Sequence, residues 1–332
     1  MGSSASPLPS AASPEFLAVF RAHADAGGAM SFARFMELAL YHSSVGYYRR
    51  DRPRVGYAPG TDFFTATTSG AIFGELVAAA CVHLLGSLNP REHTFVEIGA
   101  ENPTGILTGV AHPFGAVRTV QVGQPIELRG RCIVFSNELF DAQPFTRTIV
   151  RAGQWREQGV RLLDDSLATI ELSTPPPTGP HFPPPAQEGY RFDQSLAASA
   201  LAASIADQSW TGLFVAFDYG KSLRELAEET PGGTARAYAR HTQSNDLLAQ
   251  PGEQDLTCHV CWDWLAAALA AGGFVAPRVD SQEAFFIHHA ADFIAATTAA
   301  EAARLSQRKL ALLQLLHPAH LGQKFQVLHA LR

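Results

Sequence analysis

Residues 95–107 read FVEIGAENPTGIL, and the fold turns on how this stretch is understood. Phe95 to Ile98 is a short apolar run of the buried-strand type. It meets a turn with only two glycines, Gly99 and Gly105, and Pro103 between them. A loop that cradles phosphates calls for G-x-G-x-x-G or a Walker lysine, and neither is present, so NAD and ATP have little support. A cofactor without phosphates needs fewer glycines, because no anion has to be gripped by successive backbone N–H groups. The stretch points toward S-adenosylmethionine or no cofactor.

Three further runs of the same type follow: AVRTVQV from Ala116, RCIVFSNE from Arg131 and GLFVAFDYG from Gly212. Helical spacing precedes and follows them. Ser31 is a good N-cap before Phe32, Phe35, Met36, Ala39 and Leu40; Ile72, Phe73, Leu76, Val77 and Ala80 share one side of a second helix ending at Gly86. The pattern also predicts helices over Trp262 to Ala271 and from about Ala300 to Leu316, and a closing strand in LGQKFQVLHALR. Strands alternating with helices predict an α/β chain with a mostly parallel, doubly wound sheet. TRTIVRAGQWREQGVRLL alternates as a hairpin does, so some antiparallel pairing is expected. TPPPTGPHFPPP, 174–185, is a Pro-rich surface excursion.

A chain of 332 residues, 46% hydrophobic and 17% charged, buries a substantial core. Its net charge of −6, with 25 Lys and Arg that never form a run, argues against nucleic acid or an anionic membrane as partner. Four unevenly spaced cysteines favour a reducing compartment, and the cytoplasm is expected. Residues 1–14 read as a flexible tail rather than a targeting segment, and no membrane span is expected.

In an open α/β sheet, ligands sit beyond the carboxyl ends of the strands. Polar residues gather where these strands end: Glu97 with Gly99, then Ser136, Asn137 and Glu138, then Asp218, Tyr219 and Gly220. Any one alone is equally a polar strand cap or, for Asp218, a turn acceptor. The C-x-x-C at Cys258 and Cys261 lacks a second pair, and His288 and His289 lack carboxylates at ligand spacing, so no metal is expected and the two histidines are read as surface residues.

FARFMELALYHSSVGYY, G-x-DFFT running to IFGE, VEIG, SNELFDAQPF, VAFDYG, PGEQDLTCHV and GQKFQVL occur in this order from about residue 30 to 330. Together they resemble the MidA-like S-adenosylmethionine-dependent methyltransferases, the family of the mitochondrial complex I assembly protein arginine methyltransferase. The resemblance implies a Rossmann-type class I methyltransferase fold with extra N- and C-terminal elements. It further implies a tail over residues 1–14, a covering region over 15–90 and a methyltransferase-like domain over 91–332.

Carried over by motif, Asp62 and Thr65 close over the cofactor, while Glu97, Gly99 and Gly105 form its loop. Asn137, Glu138 and Asp141 meet the acceptor; Asp218 belongs to D-Y-G, and Asp255, Thr257 and His259 to D-x-T-x-H. On this reading Glu138 and Asp141 clamp a guanidinium, sharing one face if a helix begins there, with Asn137 orienting it. Asp218 and His259 are candidate acids and bases.

The loop departs from the family's E-x-G-P-G-R-G-T-L: its middle glycine and arginine are missing. Gln121 or Glu127 has to stand in for the ribose-binding acid. The expected activity is methyl transfer from S-adenosylmethionine to a protein arginine. The alternatives are a partner-binding pseudoenzyme and a small-molecule methyltransferase.

Overall fold

The computed structural model describes residues 11–50, 54, 61, 62, 69–177, 182–185, 187–303 and 306–332. The chain enters through α1 (Pro14–His23), β1 (Ala29–Ser31) and α2 (Phe32–Tyr41). Ser13 Oγ accepts the Phe16 N–H and Ser31 Oγ the Arg34 N–H, each at 3.1 Å, which fixes both helix starts. Helix α1 begins inside the stretch expected to be a tail, because Ser13-Pro14 is an N-cap followed by proline at the first helical position.

Helix α3 (Ala71–Leu85) leads into β2 (Thr94–Ile98), β3 (Ala116–Val120) and β4 (Gly130–Asn137). An accessory sheet follows: β5 (Thr146–Arg151), β6 (Gln154–Leu163), β7 (Ser166–Glu171) and β8 (Arg191–Gln194). β5 and β6 form the expected hairpin; β1 and β7 also pair with β6, and β8 with β5, all antiparallel. The described part of 174–185 holds neither helix nor strand.

Helix α4 (Leu196–Ala206) returns the chain to the main sheet at β9 (Trp210–Asp218). Then come β10 (Gly220–Lys221), α5 (Leu223–Glu228), β11 (Arg236–Ala239), β12 (Thr242–Ser244), β13 (Asp255–Thr257) and β14 (Val260–Cys261). The chain ends through α6 (Trp262–Ala271), β15 (Val275–Ser281), α7 (Gln282–His289), α8 (Ala291–Ala300), α9 (Gln307–Leu316) and β16 (Gln326–Leu331).

The main sheet has the order β15-β16-β9-β4-β2-β3. β3, β2, β4 and β9 are parallel, whereas β16 runs antiparallel to both β9 and β15. The architecture is mixed α/β, less parallel than the apolar runs imply. Apolar runs reveal buried strands but not their direction. β9 is buried at eight of nine positions, as a strand covered on both faces must be. Phe95, Ile133, Phe135, Val215, Phe217 and Val327 pack beneath α3, α7 and α9. Val96, Val134, Phe214, Ala216 and Leu328 pack beneath α4 and α6.

Two local expectations fail. No helix follows the 99–105 turn: Asn102 Oδ1 accepts the Thr104 and Gly105 N–H groups and the Thr104 hydroxyl, a local turn that competes with helix formation. Gly105 is therefore not a helix start. The helix expected from about Ala300 to Leu316 starts later: α8 ends at Ala300, and Ser306 Oγ caps α9 through the Lys309 N–H.

Candidate active site

β2 continues to β3 on one side, and the chain then crosses β2 to reach β4 on the other, so the topological switch lies at the carboxyl ends of β2 and β4. Gly99 and Leu139 meet there. Gly99 has φ +81°, and a Cβ on it would come 3.1 Å from the Leu139 side chain. The Gly99 N–H donates to Val120 O at 2.8 Å, tying the turn to the end of β3, where Gln121 follows.

Glu97 turns into the loop. Its Oε2 accepts the Ile106 N–H at 2.7 Å, and a Cβ at Gly105, φ +69°, would lie 2.5 Å from that oxygen. Burial pushes the Glu97 carboxyl up to about 7, against the pull of the Ile106 N–H.

Beyond β4 the chain turns sharply rather than starting a helix. Glu138 has φ +52°, a left-handed conformation uncommon for a non-glycine residue. Its N–H donates to Phe217 O at 2.9 Å. Asp218, fully buried at the end of β9, accepts the Phe140 N–H at 2.8 Å and the Asp141 N–H at 3.3 Å through Oδ2, and the Tyr219 N–H at 2.9 Å through Oδ1. The turn, not a helical face, brings Glu138 and Asp141 together. Asn137 Nδ2 donates to Glu138 Oε1 at 3.0 Å, while the buried Asn137 Oδ1 has no partner among the described residues.

These groups form one electrostatic cluster with Asp255. Burial, then the neighbouring Asp218, holds Glu138 and Asp141 well above the ordinary carboxylate range. The Asp141 backbone N–H donates to Asp218, while the buried Asp141 Oδ1 has no partner among the described residues. Burial raises Asp218 and Asp255 to about 7, each moderated by its hydrogen bonds.

Aromatic rings enclose the cluster. Tyr48 OH donates to Asp255 Oδ1 at 2.9 Å, and Tyr41 stacks on Tyr48 with centroids 5.5 Å apart while donating to Ala142 O. Tyr238 pairs in register with Asp255, and Tyr219 lies close enough to Glu138 for the charge to raise its hydroxyl after burial.

The structure thus gathers Asn137, Glu138, Asp141, Asp218 and Asp255 in one place and Glu97, Gly99, Gly105 and Gln121 at the neighbouring strand ends. Glu127 is exposed beyond β3. Asp62 is fully buried between Tyr47 OH, at 2.7 Å, and the Arg240 N–H, at 2.9 Å, so it joins the N-terminal segment to β11 and β12. Thr65 lies outside the described residues.

His259 faces elsewhere. Its charged neighbours are Lys221, Arg236, Asp193 and Glu225, and burial holds its imidazole down to about 4. Arg54 is a site residue that the motifs do not reveal. Its guanidinium lies over the Tyr48 ring at 5.5 Å and pairs with Glu101 at 3.2 Å, so an arginine from the covering segment reaches the loop whose own arginine is missing. The only sequence signal is the basic, aromatic composition of YYRRDRPR.

Residues 117–278 match the model of a family described as "Putative S-adenosyl-L-methionine-dependent methyltransferase". Two crystal structures of superfamily proteins from Burkholderia thailandensis share the fold. One, bound to S-adenosyl-homocysteine, is 23% identical with a TM-score of 0.82; the alignment covers 98% of this chain and 95% of that one. A native structure is also 23% identical, with a TM-score of 0.78 and the same coverage. No curated protein matches the sequence. No described helix is long and apolar enough to cross a membrane. Over residues 117–278 the chain is thus similar to a family of S-adenosyl-L-methionine-dependent methyltransferases.

Proposed function

We propose that this methyltransferase modifies a protein arginine, and that the parallel strands β3-β2-β4-β9 are its Rossmann-type class I core. The observation that carries the acceptor is the convergence of the Glu138, Asp141, Asp218 and Asp255 carboxyls beside tyrosine rings. Buried acids with raised pKa values hold protons until a cation arrives. A guanidinium is a planar cation with donors in a fixed fork, and it suits two adjacent carboxylates flanked by aromatic faces.

The residues at the strand ends suit the cofactor. Gly99 keeps the backbone open beside Leu139, Gln121 follows β3 with an amide suited to ribose hydroxyls, and the orphaned Asn137 Oδ1 can accept from an ammonium or hydroxyl group. Arg54 suits the methionine carboxylate. Bound S-adenosylmethionine supplies an electrophilic sulfonium methyl group. Glu138 and Asp141 hold the guanidinium fork, and the covering segment 15–90, through Tyr41, Tyr48 and Arg54, excludes water. Glu138 accepts the proton that the acceptor nitrogen loses as its new bond forms. Asp218 positions both acids through the turn.

A neighbouring cleft of about 840 Å³ supports a polypeptide acceptor over a small molecule. Arg147, Arg151, Arg191 and Arg236 line it. Arg236 lies two residues from Tyr238 on β11, roughly 7 Å along the strand. An acidic segment flanking the target arginine would lie there.

The test is tritium transfer from methyl-labelled S-adenosylmethionine into soluble protein extract, followed by hydrolysis and amino-acid analysis. Label in methylarginine, lost with Glu138→Gln, supports the reading. Label recovered in another amino acid or in small molecules would overturn it.

A further inference from the structure

We propose that Asp280, His289 and His329 form a binding site for a divalent first-row transition ion, zinc being the best fit, away from the acidic cluster. One ligand atom from each lies within 4.8 Å of the other two.

The fold brings them together from three elements. β15 and β16 pair antiparallel with Arg278 opposite His329 and Asp280 opposite Val327, so Asp280 and His329 are diagonal neighbours on the face that carries Val327 into the α3, α7 and α9 core. Helix α7 starts directly after β15, capped by Ser281, and His289 is its last residue. Eight helical residues advance roughly 12 Å, which carries His289 back across the two strands.

His329 Nε2 and Asp280 Oδ2 are 3.0 Å apart. With metal–ligand bonds of about 2.0–2.2 Å, ligand atoms around one ion stand roughly 3 Å from each other, so this pair already has that separation. The His289 ring is 5.2 Å from the His329 ring, and both rest against Phe285. His83, from the end of α3, places Nδ1 3.1 Å from His289 Nδ1, the kind of outer partner that orients a ligating imidazole.

His329 is buried while Asp280 and His289 are partly exposed, so an ion has an entry path from one side. Two imidazoles and one carboxylate select zinc and its first-row neighbours over magnesium or calcium, which take oxygen ligands. In the sequence His289 has no carboxylate at ligand spacing, because Asp280 stands nine positions earlier in the chain. The strand-to-helix reversal supplies the proximity that spacing conceals.

The test titrates the full chain, freed of metal, with Zn²⁺ by calorimetry and with Co²⁺ by absorption. One equivalent should bind and raise Tm by several degrees, with no thiolate-to-cobalt charge-transfer band. His289→Gln and Asp280→Asn, each changing a partly exposed side chain, should weaken binding about 10- to 100-fold while leaving the metal-free Tm within a few degrees of the parent. Absence of saturable binding would overturn the proposal. So would equal affinity in both variants, or a thiolate band assigning the ion to Cys258 and Cys261.

Discussion

The Asp218 carboxylate accepts the Phe140 backbone N–H at 2.8 Å, so the acid ending one strand holds the turn that ends its neighbour. Because Asp218 also accepts from Asp141 and Tyr219, Asp218→Ala leaves three backbone donors without that acceptor in a closed interior. An unsatisfied buried donor costs about 1–3 kcal/mol. Asp218→Ala is expected to lose at least about 2 kcal/mol in urea denaturation and most methyl transfer, since Glu138 and Asp141 lose their common support. Full activity at unchanged stability would show that the turn holds itself.

Gly105 backs Glu97 closely. At φ +69°, with an added Cβ falling 2.5 Å from Glu97 Oε2, an alanine is strained twice over. Gly105→Ala is expected to displace the Glu97 carboxylate from the Ile106 N–H and weaken S-adenosylhomocysteine binding about tenfold or more by calorimetry. Unchanged affinity would separate this loop from the cofactor site.

The legibility of the chain divides along physical lines. β2, β4 and β9 are readable because a strand buried on both faces must be apolar along its length, and α2 and α6 because their caps and apolar spacing agree. The direction of β16 is not, since apolar content carries no polarity. The acids at 138 and 141 come together for a reason their spacing does not give: it suggests a helix, whereas a left-handed residue and a distant aspartate make the turn. Contacts such as Tyr48 with Asp255, 207 positions apart, have no local signature.

The arginine-lined cleft yields a prediction about affinity rather than chemistry. Arg236 donates to Gly233 O and Ala235 O, leaving its charge facing the cleft without an ion pair among the described residues. Arg236→Glu is expected to raise KM about tenfold for an acceptor peptide with acidic flanks, leaving kcat and the KM of a neutral-flanked peptide little changed. A parallel loss for both peptides would instead indicate damage to β11.

The acidic cluster gives stability and activity opposite pH dependences. Burial raises Asp218 and Asp255 to about 7 and lifts Glu138 and Asp141 well above the ordinary range. Between the unfolded carboxylate range and these folded values, the native state binds more protons than the unfolded chain. Stability therefore falls as pH rises, with slope 2.303RT times the proton difference. The contribution of Asp218 and Asp255 is fully present below the unfolded carboxylate range and is lost as pH passes through about 7. On the proposed function, holding a guanidinium requires ionised Glu138 and Asp141, so kcat/KM should rise with pH as stability falls. Urea denaturation from about pH 5 to 8 should show the chain growing less stable, and Asp141→Asn should flatten that slope by removing one coupled acid. A wild-type stability that climbs through this window, with the same slope in Asp141→Asn, would mean the carboxyls ionise freely in the folded protein and that the cluster is open to water.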